Sequence, residues 1–179
     1  MKLPGIGDLE PDDDFGWWVC PPIHVPLLDG AVCFVVDDEP GAHPAEYAAA
    51  ILAFAALDQR ALEAVSDEAF AYYRDIVRLL ARQPGLWEVP DIDGPDAVWQ
   101  HIRLGDEPHV GWDDATQAAY VSLESGCDWE PEHGIKLVFR DGRQVTKLGP
   151  FDGHLTNAAA YGDAGLLDVI YRRIGPAAG

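Results

Sequence analysis

Asp141-Gly142 lies between two extended apolar runs, 134–140 and 143–148, and an Asp-Gly pair so placed is the strongest short-range signal for a β-hairpin. A hairpin joins antiparallel strands and sends successive side chains to opposite faces, so it constrains everything around it. Read as a two-residue turn, it sets Arg140 opposite Arg143 and Phe139 opposite Gln144. One face then carries Ile135, Leu137, Phe139 and Leu148, which should pack on helices. The other carries Lys136, Arg140, Arg143 and Lys147 around Val138 and Val145. Like charges directly opposed cost stability unless something anionic lies between them. The expected cover is the chain's own acids, Asp128, Glu130 and Glu132 being near in sequence, in preference to a bound anionic ligand.

Acids are plentiful. The chain has 31 Asp and Glu against 12 Lys and Arg, a formal net charge of −19. Residues 1–59 hold 11 acids and one base, and residues 84–135 hold 12 acids and one base. Residues 60–83 are balanced at four each, whereas 136–179 hold four acids and six bases. The hairpin region is therefore where the sign reverses. Nucleic acid is not an expected partner, because too few cations are present to release counterions from phosphates. The same shortage argues against an anionic membrane surface. A basic protein would be steered towards such a chain, although acidity also serves solubility alone.

With 179 residues, 48% of them hydrophobic, the chain can bury a core of its own. It shows no secretory pattern: Lys2 is the only early cation, and Asp12, Asp13 and Asp14 stand where an apolar stretch would be needed. Cys20, Cys33 and Cys127 are too few and too scattered for a disulfide framework or zinc ribbon, so reduced thiols in the cytoplasm are expected. Residues 1–16 read as a loosely ordered acidic arm and 17–179 as a single α+β domain. The stretch 19–25 is broken by Pro21 and Pro22, and 31–36 is a buried strand ended by Asp37-Asp38-Glu39-Pro40. Pro44 and Glu46 open a helix with Ile51, Leu52, Ala55 and Leu62 inward. Ser66 reads as the N-cap of a second helix, whose stripe is Phe70, Tyr73, Ile76, Val77 and Leu80 and whose stop is Gln83-Pro84-Gly85. Arg74, Arg78 and Arg82 line one edge of it, paired with Asp75 rather than holding an anion. Beyond Asp91 come short runs at 98–104 (strand or short helix), 109–112 and 119–124, then the hairpin, a loop over 149–164, and a helix over 166–174 ended by Gly175-Pro176. The order predicts an α+β fold: N-terminal strands, two central helices packed on a mostly antiparallel C-terminal β-meander, and a short C-terminal helix.

The least average segment is Cys127-Asp128-Trp129-Glu130-Pro131-Glu132-His133-Gly134. Glu130, Glu132 and His133, with His154 returning after the hairpin, supply the carboxylate–histidine sets that acid–base chemistry or a divalent ion needs. The spacing matches no metal motif, no nucleophile elbow and no phosphate loop, so no metal or cofactor is assigned. The structural alternative has Trp129 anchoring the loop, Glu132 or His133 bonding the turn backbone, and Gly134 relieving strain. Binding candidates are Trp129, Lys136, Arg140, Arg143, Lys147 and Asp152. The residues Cys127, Trp129, Glu130, Glu132, His133, Gly134 and Ile135 form a Cys-x-Trp-[Asp/Glu]-x-Glu-His-Gly-[Ile/Leu] motif that resembles a family of uncharacterised bacterial domains. Some of its relatives look like the immunity proteins that neutralise toxins. The likeness spans roughly 95–152, with the Tyr72-Tyr73 helix in keeping, and implies no particular reaction. It favours a non-catalytic protein-binding domain of immunity type facing a basic partner. The alternative is a metal-dependent or acid–base hydrolase using Glu130, Glu132, His133 and His154.

Overall fold

The computed structural model describes residues 1–12, 14–37, 41, 43–83 and 86–175. The fold is α+β, in the order that the sequence pattern predicts. Seven short strands come first: β1 (Lys2–Leu3), β2 (Gly7–Asp8), β3 (Glu10–Asp12), β4 (Trp17–Val19), β5 (Ile23–Val25), β6 (Gly30–Val32) and β7 (Val35–Val36). Helices α1 (Pro44–Phe54), α2 (Arg60–Glu63) and α3 (Ser66–Leu80) follow, then a 3₁₀ segment over Pro95–His101. The C-terminal half is β8 (Ile102–Arg103), β9 (His109–Asp113), β10 (Ala118–Cys127), β11 (Glu130–Arg140), β12 (Gln144–Gly149) and α4 (Asn157–Tyr161). The main sheet runs β12-β11-β10-β9-β7-β4-β3, with β8 also paired to β10. Its pairings are antiparallel except β7 with β9, which is parallel.

Alternation gives this sheet two unlike faces. One carries Val36, Val110, Val121, Leu123, Leu137 and Phe139 into the main core under α1 and α3. Phe54 of α1 meets Phe34 and Phe139 edge-on, at 5.7 and 5.0 Å between ring centroids. The opposite face has a small apolar cluster, Ala118, Tyr120 and Val138 with Leu155 packed on it. Towards β4 and β7 it also carries Trp17, Val19 and the buried Val35, with polar residues between, and the chain after β12 crosses it. No helix among the described residues is long and apolar enough to cross a membrane.

Several expectations are corrected in detail. Residues 1–12 are not a loose arm: they form β1 to β3, and Leu3 and Leu9 are buried in the main core. Ser66 is the first residue of α3 rather than its cap, and its Oγ accepts from Trp99 Nε1 at 2.8 Å. Leu52 faces solvent on α1. The short C-terminal helix is α4, earlier than 166–174, with Thr156 Oγ1 accepting from Ala159 N and Gly162 left-handed at its end. The later stretch is tied down by tertiary bonds instead: Leu148 N donates to Ile170 O, and Ile174 N donates to Asp75. The hairpin connection has three residues, so Arg140 pairs with Gln144 and Phe139 with Val145. Asp141 and Gly142 are both left-handed, and a Cβ on Gly142 would lie 1.9 Å from Ala50 O, so the turn is shaped against α1. A register shift at Thr146 then puts Lys147 opposite Val138 and turns Val145 into the core. The opposition of Arg140 to Arg143 therefore does not arise. The stop signals at 38–40, Pro84-Gly85 and Pro176 lie outside the described residues.

Candidate functional site: the bulged motif and the polar face of the sheet

The motif is built around a wide bulge. Cys127 pairs with Glu130 across Asp128-Trp129, while Ser125 pairs with Ile135. Residues 131–134 of β11 thus stand against the single Gly126 of β10, and they are looped out. Gly134 makes the return possible: its φ is +57°, and a Cβ there would lie 2.3 Å from Ser125 O. Glu130 is buried, and its Oε1 accepts from the backbone N–H of Glu132 at 3.1 Å and of His133 at 3.3 Å. The same oxygen lies 3.6 Å from His133 Nδ1. The Glu130 carboxylate is therefore turned back on its own loop. Tyr72 of α3 donates to Gly134 O at 3.0 Å, fastening the loop to the helix.

Trp129, a binding candidate, has no exposed surface and is a core anchor. Tyr72 and Tyr73 meet its ring edge-on, and Trp87 Nε1 donates to its carbonyl at 3.0 Å. Its own Nε1 is buried without a hydrogen-bond partner. Burial also pushes the Cys127 thiol up to about 12 and the Tyr72 hydroxyl far above its ordinary value.

Glu130, Glu132 and His133 offer ligand atoms all within 4.8 Å of one another. His154 does not join that group. The chain after the hairpin does return to the bulge, because Phe151 N donates to His133 O at 3.3 Å. Asp152, however, receives Lys147 Nζ at 2.6 Å and the His154 backbone N–H at 3.0 Å. Asp128 likewise leaves the motif, bonding Arg103 and His101, which hold its carboxyl below the ordinary value. So Asp128 and Glu130, expected to cover the hairpin cations, are occupied elsewhere.

The cover comes from other acids. Lys147 is only 1% exposed and pairs with Asp152, while Lys136 is 5% exposed and stands in register with Glu124. The Phe151 ring lies 5.1 Å from Lys136 Nζ. Burial lowers the Lys136 pKa, helped by the neighbouring Lys147 and opposed by Glu124, Asp152 and Asp37. Arg140 reaches Asp141 at the hairpin tip, and Arg143 is exposed in the turn. The four predicted cations thus divide into two buried lysines and two arginines at the tip.

Further along the same face sits a histidine flanked by carboxylates. Ser122 is in register with both His109 and Val138, and Val138 with Lys147, so these side chains share one face. His109 Nδ1 lies 2.6 Å from Asp37 Oδ1, and its Nε2 lies 3.3 Å from Glu107 Oε1. The bond to Asp37 raises the imidazole pKa, against the opposing effect of burial. Asp37 and His109 are absent from the sequence candidates, since they are 72 positions apart and meet only through the parallel β7–β9 pairing.

One family model, Domain of unknown function (DUF6985), matches residues 5–155. No curated protein and no solved structure matches the chain.

Proposed function

The chain belongs to the DUF6985 family, a domain of unknown function, and we propose that it is a non-catalytic protein-binding domain of immunity type that presents an acidic surface to a basic partner. One observation carries this reading: half of the twelve cations stand in ion pairs with the chain's own acids, and the acids far outnumber them. Asp152 takes Lys147, Asp128 takes Arg103, and the buried Asp75 takes both Arg78 and Arg173. The acidic surplus is left outside, with Asp8, Glu10, Asp14, Asp106, Glu107, Asp114 and Glu132 all exposed. A surface of one sign raises encounter rates with a partner of the other. The likeness of residues 127–135 to a family of uncharacterised bacterial domains, some of whose relatives resemble immunity proteins, supports the same reading, and a bacterial cytoplasm suits three free thiols. The test is a pull-down and calorimetric titration against the product of the adjacent gene, with a basic toxin or nuclease the expected neighbour. Loss of binding to such a basic neighbour at both low and moderate salt would remove the proposal.

A second reading, a metal-dependent or acid–base hydrolase, has the 4.8 Å grouping of Glu130, Glu132 and His133 in its favour. It expects a divalent ion to raise the melting temperature, since a ligand that binds only the folded state stabilises it. An unchanged melting temperature across divalent ions would dismiss its metal-dependent form.

A further inference from the structure

The β3–β4 hairpin carries an aromatic pair that the core does not use. Phe15 is 66% exposed, and its ring stacks on Trp17 with 4.6 Å between centroids and 17° between planes. Trp17 in turn meets His109 edge-on at 5.2 Å. His109 is the imidazole held between Asp37 and Glu107. Asp12 is the register partner of Trp17, so its carboxylate rises on the same face of the ribbon. The turn that presents Phe15 is closed by Gly16 N donating to Asp12 O at 2.9 Å and by Asp14 N donating to the Asp12 carboxylate at 3.0 Å. The exposed Phe15 ring is thus backed by the partly buried Trp17, with Asp12 beside it on the ribbon and Glu107 on the histidine that Trp17 meets.

Exposed, preordered aromatic surface is what interface hot spots are made from, because little side-chain entropy is left to lose. Carboxylates at its rim select the sign of what docks there. A planar guanidinium satisfies both requirements at once: it stacks on an aromatic face and bonds carboxylates through its edge. An ammonium is a point charge that stacks less well. An acidic partner or an anionic lipid surface would be repelled by Asp12, Asp14, Asp37 and Glu107.

We propose that Phe15 and Trp17, rimmed by Asp12 and Glu107, form the docking point for the basic partner and receive an arginine side chain from it. This rests on the protein-binding reading above and gives that reading a location and a residue type. The stacked pair supplies the contact area and the carboxylates supply orientation.

The test uses labelled Arg-Gly and Lys-Gly repeat peptides and a Glu-Gly control, followed by fluorescence anisotropy at low and moderate salt. Phe15→Ala removes a solvent-facing ring without opening the core. The expected result is about a fivefold loss of Arg-peptide affinity in Phe15→Ala, a value typical of an exposed cation–π contact. A similar loss is expected in Asp12→Asn, with the Lys peptide weaker throughout. Glu88→Gln combined with Asp91→Asn removes two exposed acids from another loop and should leave Arg-peptide binding nearly unchanged. Equal loss in that control and in the hairpin variants would mean diffuse attraction, overturning the docking point while leaving the basic-partner reading intact. Arg-peptide binding that ignores Phe15→Ala would do the same. Failure of every cationic peptide to bind at low salt would overturn both. Circular dichroism spectra and thermal unfolding of each variant verify that the variants are folded.

Discussion

Replacing Glu130 separates a structural role for the motif from a chemical one. Its Oε1 accepts two backbone N–H bonds within a buried setting. Hydrogen bonds to a charged group contribute about 1.5–3 kcal/mol each. The freed donors belong to Glu132 and His133, which are exposed, so water recovers roughly half of that loss. Glu130→Ala should then cost about 1.5–3 kcal/mol, lowering the melting temperature by about 3–12 °C for a chain of this size. Glu130→Gln keeps an acceptor oxygen and loses only the charge, so its cost should be about 1 kcal/mol. The exposed His133 adds little to either value, as expected of a solvated ion pair. Thermal and urea unfolding followed by circular dichroism, without added metal, measure both variants. A Glu130→Ala protein as stable as the parent would refute the reasoning, because the carboxylate could then not be what holds the bulge. A more stable variant would point the other way, to a carboxylate kept at a cost to the fold, as catalytic and metal-binding groups often are.

Three further outcomes follow from the geometry. Asp75 is buried and bonds Tyr171 OH, Ile174 N, Arg173 and Arg78, so Asp75→Ala should cost about 3–5 kcal/mol and speed hydrogen exchange at the Ile174 amide; a protected Ile174 amide in the variant would contradict this. Burial pushes Cys20 up to about 11 and Cys127 up to about 12, leaving the half-buried Cys33 as the one thiol that Ellman's reagent should modify rapidly in the folded protein, and rapid reaction of a second thiol would be inconsistent with it. The imidazole of His109 is raised above its ordinary 6.5, so its contribution to stability is complete below that value and is lost as pH rises through the higher folded value. In His109→Gln this part of the pH slope, measured by urea unfolding from mildly acid to alkaline pH, should disappear; an unaltered slope would count against it.

The elements with a short physical period were readable from the chain. The α3 stripe buries Tyr73 and Ile76, with Phe70, Val77 and Leu80 partly buried against the core, because spacing of three and four is a property of the helix itself. The Asp141-Gly142 turn sits where its left-handed residues demand. The register beyond it was not readable, since the three-residue connection is set by α1 pressing on Gly142 and the Thr146 shift by which residue the core accepts. Helix α4 had a legible signature in Thr156 and Gly162, masked by a stronger apolar pattern downstream. The candidate site divides in the same way. Glu130, Glu132 and His133 converge because they are neighbours in sequence, whereas His154 and Asp152 depend on where a loop is drawn.

The sequence by itself determined the class of fold, the place of the hairpin, and an acidic chain whose sign reverses near residue 136. Only the tertiary structure decided how that charge is used. It sent Asp152 and Glu124 to the buried lysines, closed Glu130 on its own bulge, and brought Asp37, His109, Trp17 and Phe15 into one row. Local propensities act over a few residues and leave their mark in spacing. Pairing between strands dozens of residues apart is chosen by burial and by satisfying polar groups, and no short window of sequence carries that choice.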